Sequence, residues 1–384
     1  MKKFASLATT GIIISLLVSC IPGATSPQST ETTESMPLAT ATAPPATPTI
    51  TQVISEQEPL FFAVKGPQHV SKLELSFTDA DRENRLVGVT VWYPAFKPAD
   101  KTSNRPSLGA KVDLSGAPYP LILSSTKVAN LFAPYLVSYG FTWASVDGID
   151  TYRKMNEEAI DQPLDILFAL DQIAAHPPEG LESVIDAEHA GVTGYSFDGY
   201  NTYALSGARI DPEYYLAQCP TPDATTEALV SSGLSAFDCA PSLAWDEFSA
   251  HAGEAITSNK DGLWQAMTDE RIRAVMPMSG EGWWLFGEKG LAPVTVPVLI
   301  LSGTKDELYK ENTLIFEHLG SPDKTLISFI GQSHEMVFFE VLPMTHFMVA
   351  FFSYHLKGRE DMAWYFSEDY VAQQEGLAWG VYNK

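Results

Sequence analysis

The sequence predicts an α/β protein with a mainly parallel central sheet flanked by helices and a small cap insertion. Short apolar, β-rich runs alternate with amphipathic helical stretches from about residue 60 onward. The 384-residue chain is 45% hydrophobic, which is enough to bury a large core and excludes a disordered chain. Residues 210–266 interrupt the alternation with a stretch rich in Pro, Ala, Ser and acidic residues, which we interpret as the cap.

The N-terminus has the features of an export signal. Lys2 and Lys3 precede an apolar run over residues 12–18, which is shorter than the roughly 20 residues that span a bilayer. The run ends in LVSC, with Cys20 as its last letter, and resembles the lipobox of bacterial lipoproteins. The resemblance implies a signal peptide over residues 1–19 and a lipid anchor at Cys20 on an extracytoplasmic membrane surface. The alternative is an ordinary secretory signal.

Residues 20–59 are predicted to form a disordered tether between this anchor and a domain over residues 60–384. Ser, Thr and Pro make up 17 of the 30 residues in 21–50, and no aromatic residue is present. Loss of the two signal-peptide lysines changes the net charge from −23 to −25. So acidic a chain is repelled by phosphate backbones, and we exclude nucleic acid as a partner.

The domain opens with two β-rich runs, residues 73–77 and 86–93, separated by a turn-like cluster, which predicts a hairpin. The next elements are predicted strands and helices in alternation, at residues 120–124, 130–139, 141–146 and 157–175. The second half continues with predicted strands at residues 189–193, 272–278, 296–301 and 325–330 and helices at residues 200–207, 312–319 and 336–356. No internal repeat is visible.

Two cysteines remain once Cys20 is acylated. Cys219 and Cys239 both lie in the cap, and an even number of cysteines outside the cytoplasm favours a disulfide. The alternative is a pair of buried free thiols.

A serine, an acid and a histidine each follow a predicted strand. Ser196 lies in GYSFDG between a strand and a helix, so its hydroxyl is expected at a helix N-terminus that favours negative charge. Asp306 and His334 follow the two last predicted strands. Because strand ends of this kind meet at one edge of a sheet, we expect an acyl-transfer triad with Ser196 as nucleophile, His334 as base and Asp306 orienting the histidine. Glu281 is the reserve acid and His346 the reserve base.

Three segments, residues 194–199, 303–306 and 331–334, resemble the nucleophile, acid and histidine motifs of the α/β-hydrolase superfamily. The VWYPA run at residues 91–95, the two-cysteine cap and residues 351–358 resemble a branch of predicted dienelactone hydrolases and platelet-activating-factor acetylhydrolase-like esterases. The resemblance covers about residues 70–360. It implies the α/β-hydrolase fold and a serine hydrolase that needs no cofactor and no metal.

The chain departs from that branch at two places. The branch usually has His-Gly after the strand at residues 120–124, where this chain has SSTK. We expect the backbone N–H groups of Thr126 and Phe197 to bind the oxyanion, and loss of one such donor costs about a hundredfold in rate. Asp198 replaces a glycine or other small residue, so its side chain must point away from the tight turn.

These features predict a serine carboxylesterase that acts on small apolar or lipid-like esters through an acyl-enzyme. Two alternatives stay open. One is a non-catalytic surface lipoprotein that uses the same fold for binding, because function belongs to the site rather than to the fold. The other is an amidase or peptidase with the same triad.

Overall fold

The structure, a computed structural model that describes residues 59–147, 157–219, 239–258 and 261–383, is built on one ten-stranded sheet within those ranges. Its strands are, in chain order, β1 (His69–Asp79), β2 (Arg85–Ala95), β3 (Ser107–Leu108), β4 (Tyr119–Ser125), β5 (Thr142–Val146), β6 (Ile185–Tyr195), β7 (Ile272–Met278), β8 (Val298–Gly303), β9 (Lys324–Phe329) and β10 (Leu377–Trp379).

The strand order is β10-β9-β8-β7-β6-β4-β5-β2-β1-β3. The six strands from β9 to β5 are parallel neighbours, whereas β10 pairs antiparallel with β9 and β2 pairs antiparallel with both β5 and β1. The sheet is therefore mainly parallel with antiparallel margins. The predicted hairpin is confirmed as β1 and β2.

Helices lie between the strands. They are α1 (Thr126–Leu136), α2 (Glu158–Ala175), α3 (Phe197–Leu205), α4 (Pro212–Gln218), α5 (Trp245–Thr257), α6 (Trp283–Leu291), α7 (Tyr309–His318), α8 (Met336–Phe339), α9 (Val341–Lys357) and α10 (Glu368–Val371). Shorter 3-10 helices span Val137–Tyr139, Ala240–Ala244 and Glu360–Phe366. Among the described helices, none combines the length and the apolar character needed to cross a bilayer.

The sheet separates two hydrophobic cores. On β4, Leu121 and Leu123 belong to the core shared with α2 and α3, while Ile122 belongs to the core shared with α1 and α9. This alternation follows from the two-residue period of a strand, and a strand buried on both faces needs apolar residues at every position. The predicted mixed α/β class, with a large and mostly parallel sheet flanked by helices, is confirmed.

Two helices begin earlier than the apolar pattern indicates. Helix α1 begins at Thr126, rather than near residue 130, because the Ser125 side chain caps it by accepting from the N–H of Lys127. Helix α3 begins at Phe197, directly after Ser196, rather than near residue 200. Both first turns carry polar residues, so hydrophobic periodicity does not reveal them.

The described part of the predicted cap contains α4, a 3-10 helix and α5, and Cys219 and Cys239 are joined there by a disulfide. Residues 220–238 and 259–260 of this segment lie outside the described residues. The predicted signal peptide, the lipid anchor at Cys20 and nearly all of the tether also lie outside them.

Candidate active site

The carboxyl edge of the parallel strands gathers the three residues of the expected triad. Ser196 directly follows β6, Asp306 lies just beyond β8, and His334 lies just beyond β9. In the sheet, β7 lies between β6 and β8, and β9 borders β8. Because parallel strands end at the same edge, the three loops converge.

Ser196 occupies a strained turn between β6 and α3. Its backbone has φ 62° and ψ −125°, and its N–H donates to the carbonyl oxygen of Met278 at 3.0 Å. A Cβ on Gly194 would lie 2.1 Å from the carbonyl oxygen of Asp198, and one on Gly199 would lie 2.3 Å from the Cα of Gly280. The turn therefore requires glycine at both positions, and it holds the serine out at the end of the strand.

The three side chains form a continuous hydrogen-bond chain. Ser196 Oγ lies 3.0 Å from His334 Nε2, and His334 Nδ1 lies 3.1 Å from each carboxylate oxygen of Asp306. The Asp306 side chain is fully buried, and its Oδ1 accepts from the N–H of Leu308 at 2.8 Å. A buried carboxylate held in this way orients the imidazole and stabilises its charged form.

Tyr195 contacts both the backbone and the ring of His334. Its hydroxyl donates to the carbonyl oxygen of His334 at 2.8 Å, and the two rings lie 4.9 Å apart. Burial, together with the charges of nearby carboxylates such as Asp306, strongly raises the pKa of this hydroxyl, so it stays a donor at neutral pH. No sequence pattern singles out Tyr195, although its place directly before Ser196 is a usable signal.

The charges around His334 favour its protonated form. Burial alone lowers the pKa of His334, but the hydrogen bond to Asp306 and the negative charges of Asp306, Glu307 and Glu281 outweigh it. The pKa of His334 is therefore raised above its ordinary value. A base with such a pKa accepts a proton readily and becomes protonated early as the pH falls.

The reserve acid Glu281 lies next to the nucleophile. Glu281 Oε1 is 3.3 Å from Ser196 Oγ, whereas it is Asp306 that contacts His334 Nδ1. The loop that carries Glu281 is held by Glu311, whose Oε1 accepts from the N–H groups of Gly282 and Trp283 at 2.6 and 2.9 Å. The serine hydroxyl thus has two acceptors within reach, the imidazole and this carboxylate.

The reserve base His346 lies in the core on α9. It is completely buried, and its Nδ1 accepts from the N–H of Phe62 at 3.2 Å. Burial lowers the pKa of His346 to about 4, so it is neutral at physiological pH. Its contacts are those of a core histidine.

The two expected oxyanion donors occupy equivalent positions. Thr126 is the first residue of α1 and Phe197 is the first residue of α3, and N–H groups in a first helical turn have no acceptor within the helix. Strand β4, which ends at Ser125, neighbours β6 in the sheet. The Thr126 hydroxyl oxygen lies 3.0 Å from the carbonyl oxygen of Val146 and 2.8 Å from Asp147 Oδ1, two acceptors between which it can share its one hydrogen.

Asp198 points away from the tight turn. It is 2% exposed, and its Oδ2 accepts from Ser125 Oγ. Its Oδ1 lies 3.4 Å from Asn201 Nδ2, which also donates to Gln162 Oε1 at 2.8 Å. The carboxylate thus connects the first turn of α3 to the end of β4.

Six aromatic residues of the cap and of the segment after β7 are largely packed into the protein. Phe248, Trp264 and Trp284 are buried in the core beside α3, and the Phe248 and Trp264 rings stack at 5.7 Å. Trp245 and Trp283 are only partly buried, and Phe286 is fully buried. These contacts match cap packing against the body of the domain.

Three ligand-type residues lie close together at the site. Asp306, Glu307 and His334 each offer one ligand atom, and these atoms lie within 4.8 Å of one another. Two of the three already belong to the hydrogen-bond chain, where His334 Nδ1 faces Asp306. A metal there would compete with the contact that orients the imidazole.

Comparison with known proteins does not assign the site to a family. No protein-family model matches the chain, and no curated protein matches it significantly. The function of this site is therefore inferred from the geometry of Ser196, Asp306 and His334 and of the groups that contact them.

Proposed function

We propose that the chain is a serine hydrolase with the α/β-hydrolase fold that cleaves carboxylic esters through an acyl-enzyme. One observation carries the proposal, namely the hydrogen-bond chain from Ser196 Oγ through His334 to the buried Asp306 carboxylate. The strained backbone of Ser196 at the start of α3 supports it, because a turn of this kind presents a nucleophile at a helix N-terminus.

In the proposed reaction, His334 Nε2 takes the proton of Ser196 Oγ as the oxygen attacks the ester carbonyl. The N–H groups of Phe197 and Thr126 stabilise the tetrahedral oxyanion. Its collapse breaks the bond to the alcohol, which leaves with the proton from His334. Water, activated by the same imidazole, then hydrolyses the acyl-enzyme, and Asp306 holds the imidazole tautomer throughout.

The motif resemblance extends the proposal to a branch and a location. The resemblance to dienelactone hydrolases and platelet-activating-factor acetylhydrolase-like esterases favours small apolar or lipid-like esters. The lipobox ending at Cys20 favours attachment to an extracytoplasmic membrane surface. The net charge of −23 argues against polyanionic substrates, because like charges repel.

Covalent labelling tests the proposal. The purified mature chain is treated with a fluorophosphonate probe, and the labelled residue is identified by mass spectrometry. We expect wild type to be labelled at Ser196 and Ser196→Ala to lose the label. The control is Ser333→Ala, which changes an exposed serine next to His334 and should be labelled like wild type. Hydrolysis of short-chain ester substrates should follow the same order.

Folded wild-type protein that takes no label would contradict the esterase proposal and favour the non-catalytic binding lipoprotein. Labelling at Ser196 combined with turnover of amides rather than esters would favour the amidase or peptidase. The departures at Ser125, Thr126 and Asp198 are the reason for keeping the non-catalytic alternative in the test.

A further inference from the structure

A chain of hydrogen bonds, largely buried, joins the end of β4 to α3, the helix that follows the nucleophile. The N–H of Lys127 donates to Ser125 Oγ at 3.4 Å, and Ser125 Oγ in turn donates to Asp198 Oδ2. Ser125 is 1% exposed and Asp198 is 2% exposed. Asn201 Nδ2 approaches the second carboxylate oxygen of Asp198 at 3.4 Å.

A buried carboxylate is costly unless its oxygens accept hydrogen bonds. Asp198 stands in the first turn of α3, where the helix dipole favours a negative charge, and Ser125 and Asn201 contact different carboxylate oxygens. Each contact is a hydrogen bond from one donor to one particular carboxylate oxygen. The carboxylate therefore ties the position of Ser125 to that of α3, and so to Ser196.

The residue after Ser125 is the expected oxyanion donor Thr126. Its hydroxyl is held from the other side by the carbonyl oxygen of Val146 and by Asp147. The turn from β4 to α1 is thus hydrogen-bonded on one side to the end of β5 and on the other to α3. The contact with α3 relates the Thr126 N–H to the nucleophile through Ser125, which precedes Thr126, and Asp198, which lies two residues after Ser196.

We infer that Asp198 is a positioning residue that sets the oxyanion-binding turn against the nucleophile through its hydrogen bond with Ser125. This inference rests on the proposed esterase function. Asp198 touches neither substrate nor the reacting atoms in this role.

The role predicts a specific pattern of kinetic effects. Removal of either partner, in Ser125→Ala or Asp198→Ala, lets the donor drift from the oxyanion, and a misplacement of about 1 Å costs on the order of a hundredfold. We therefore expect kcat to fall about 10- to 100-fold with KM little changed, since the contact matters in the transition state. Asp198→Asn keeps an acceptor oxygen for Ser125 and should restore most of the rate.

The experiment measures kcat and KM of the mature chain with a short-chain ester, and the rate of fluorophosphonate labelling at Ser196. The variants are Ser125→Ala, Asp198→Ala, Asp198→Asn and the double variant Ser125→Ala/Asp198→Ala. Ser138→Ala is the matched control, because Ser138 is also a buried, hydrogen-bonded serine but follows α1, whereas Ser125 precedes it. Circular dichroism and the midpoint of thermal unfolding check that each variant is folded.

We expect the double variant to be no slower than the slower single variant, because both changes break the same bond. The positioning role would be overturned if the folded single variants kept the wild-type kcat. It would also be overturned if the loss of kcat in the double variant equalled the product of the two single losses. Either result would leave the esterase proposal intact. A slow Asp198→Asn variant would show that the charge, not the bond, matters and would also overturn it. Wild type that neither labels nor hydrolyses overturns both proposals together.

Discussion

Ser196 has a backbone conformation that few non-glycine residues adopt. A φ of 62° costs on the order of 1–3 kcal/mol and persists only when the surroundings hold it. Here the N–H bond to Met278 and the close approach at Gly194 hold it. The strain fits a residue whose hydroxyl must stand clear of the strand and meet His334 Nε2.

At the same scale, the raised pKa of His334 predicts how the rate depends on pH. The base must be neutral, so the acidic limb of kcat/KM should lie above the ordinary histidine value of about 6.5. Glu281→Gln removes one of the negative charges that raise the pKa of His334, so the limb should move to lower pH. The measurement is kcat/KM between pH 5 and 9, roughly two pH units either side of neutrality.

The control for this prediction is Glu188→Gln, an exposed acid near the opposite end of β6 from Ser196. Its limb should coincide with that of wild type. A limb that stays in place in Glu281→Gln would show that this carboxylate does not set the charge state of the base.

At the scale of elements, the site depends on the turns that leave β4, β6, β8 and β9. The turns after β4 and β6 carry the expected oxyanion donors and the nucleophile, and the turns after β8 and β9 carry Asp306 and His334. Helices α1 and α3 both begin at the residue expected to donate to the oxyanion. In the proposed reaction, these two helix N-termini supply partial positive charge for the oxyanion.

The cap carries the Cys219–Cys239 disulfide, which closes a loop with a sequence separation of 20. Closing a loop of this size restricts the unfolded chain and contributes about 3 kcal/mol to the free energy of unfolding. We expect the double variant Cys219→Ser/Cys239→Ser to unfold at lower urea concentration than wild type, as followed by tryptophan fluorescence.

Wild type in the presence of a reductant is the matched control, and its midpoint should fall to that of the double variant. Equal midpoints for oxidised wild type and the double variant would show that the bond adds no stability to the domain.

At the scale of the whole molecule, the central sheet has the candidate active site at one edge and a hydrophobic core on each face. The parallel strands from β5 to β9 bring together residues from distant parts of the chain. The resemblance of LVSC to a lipobox predicts a protein held at a membrane by a lipid. The chain's acidity argues against attachment by charge, since anionic lipid surfaces repel a chain of net charge −23.

The anchor gives the prediction at this scale. In a bacterial host fed a radiolabelled fatty acid, the full chain should incorporate the label and remain with the membrane fraction. Cys20→Ala should lose both properties, because the thiol that carries the lipid is absent. Soluble, unlabelled wild type would contradict the lipoprotein proposal in favour of an ordinary secretory signal, and Cys239→Ala controls for general effects of cysteine loss.

The sequence by itself determined the alternation of strands and helices and the strand ends that carry Ser196, Asp306 and His334, because hydrophobic periodicity and turn chemistry are local. Hydrophobic periodicity missed the first turns of α1 and α3, since polar residues interrupt the pattern there. Strand-end placement singled out Glu281, and the departure from the resembled motif singled out Asp198, but neither shows what these side chains contact.

Only the tertiary structure decided those contacts. Asp198 meets Ser125, 73 residues away, because β4 and β6 are neighbours in the sheet. Glu281 reaches Ser196 because β7 lies beside β6. The neighbours of a strand depend on packing of the whole sheet, and no local pattern in the chain encodes that order.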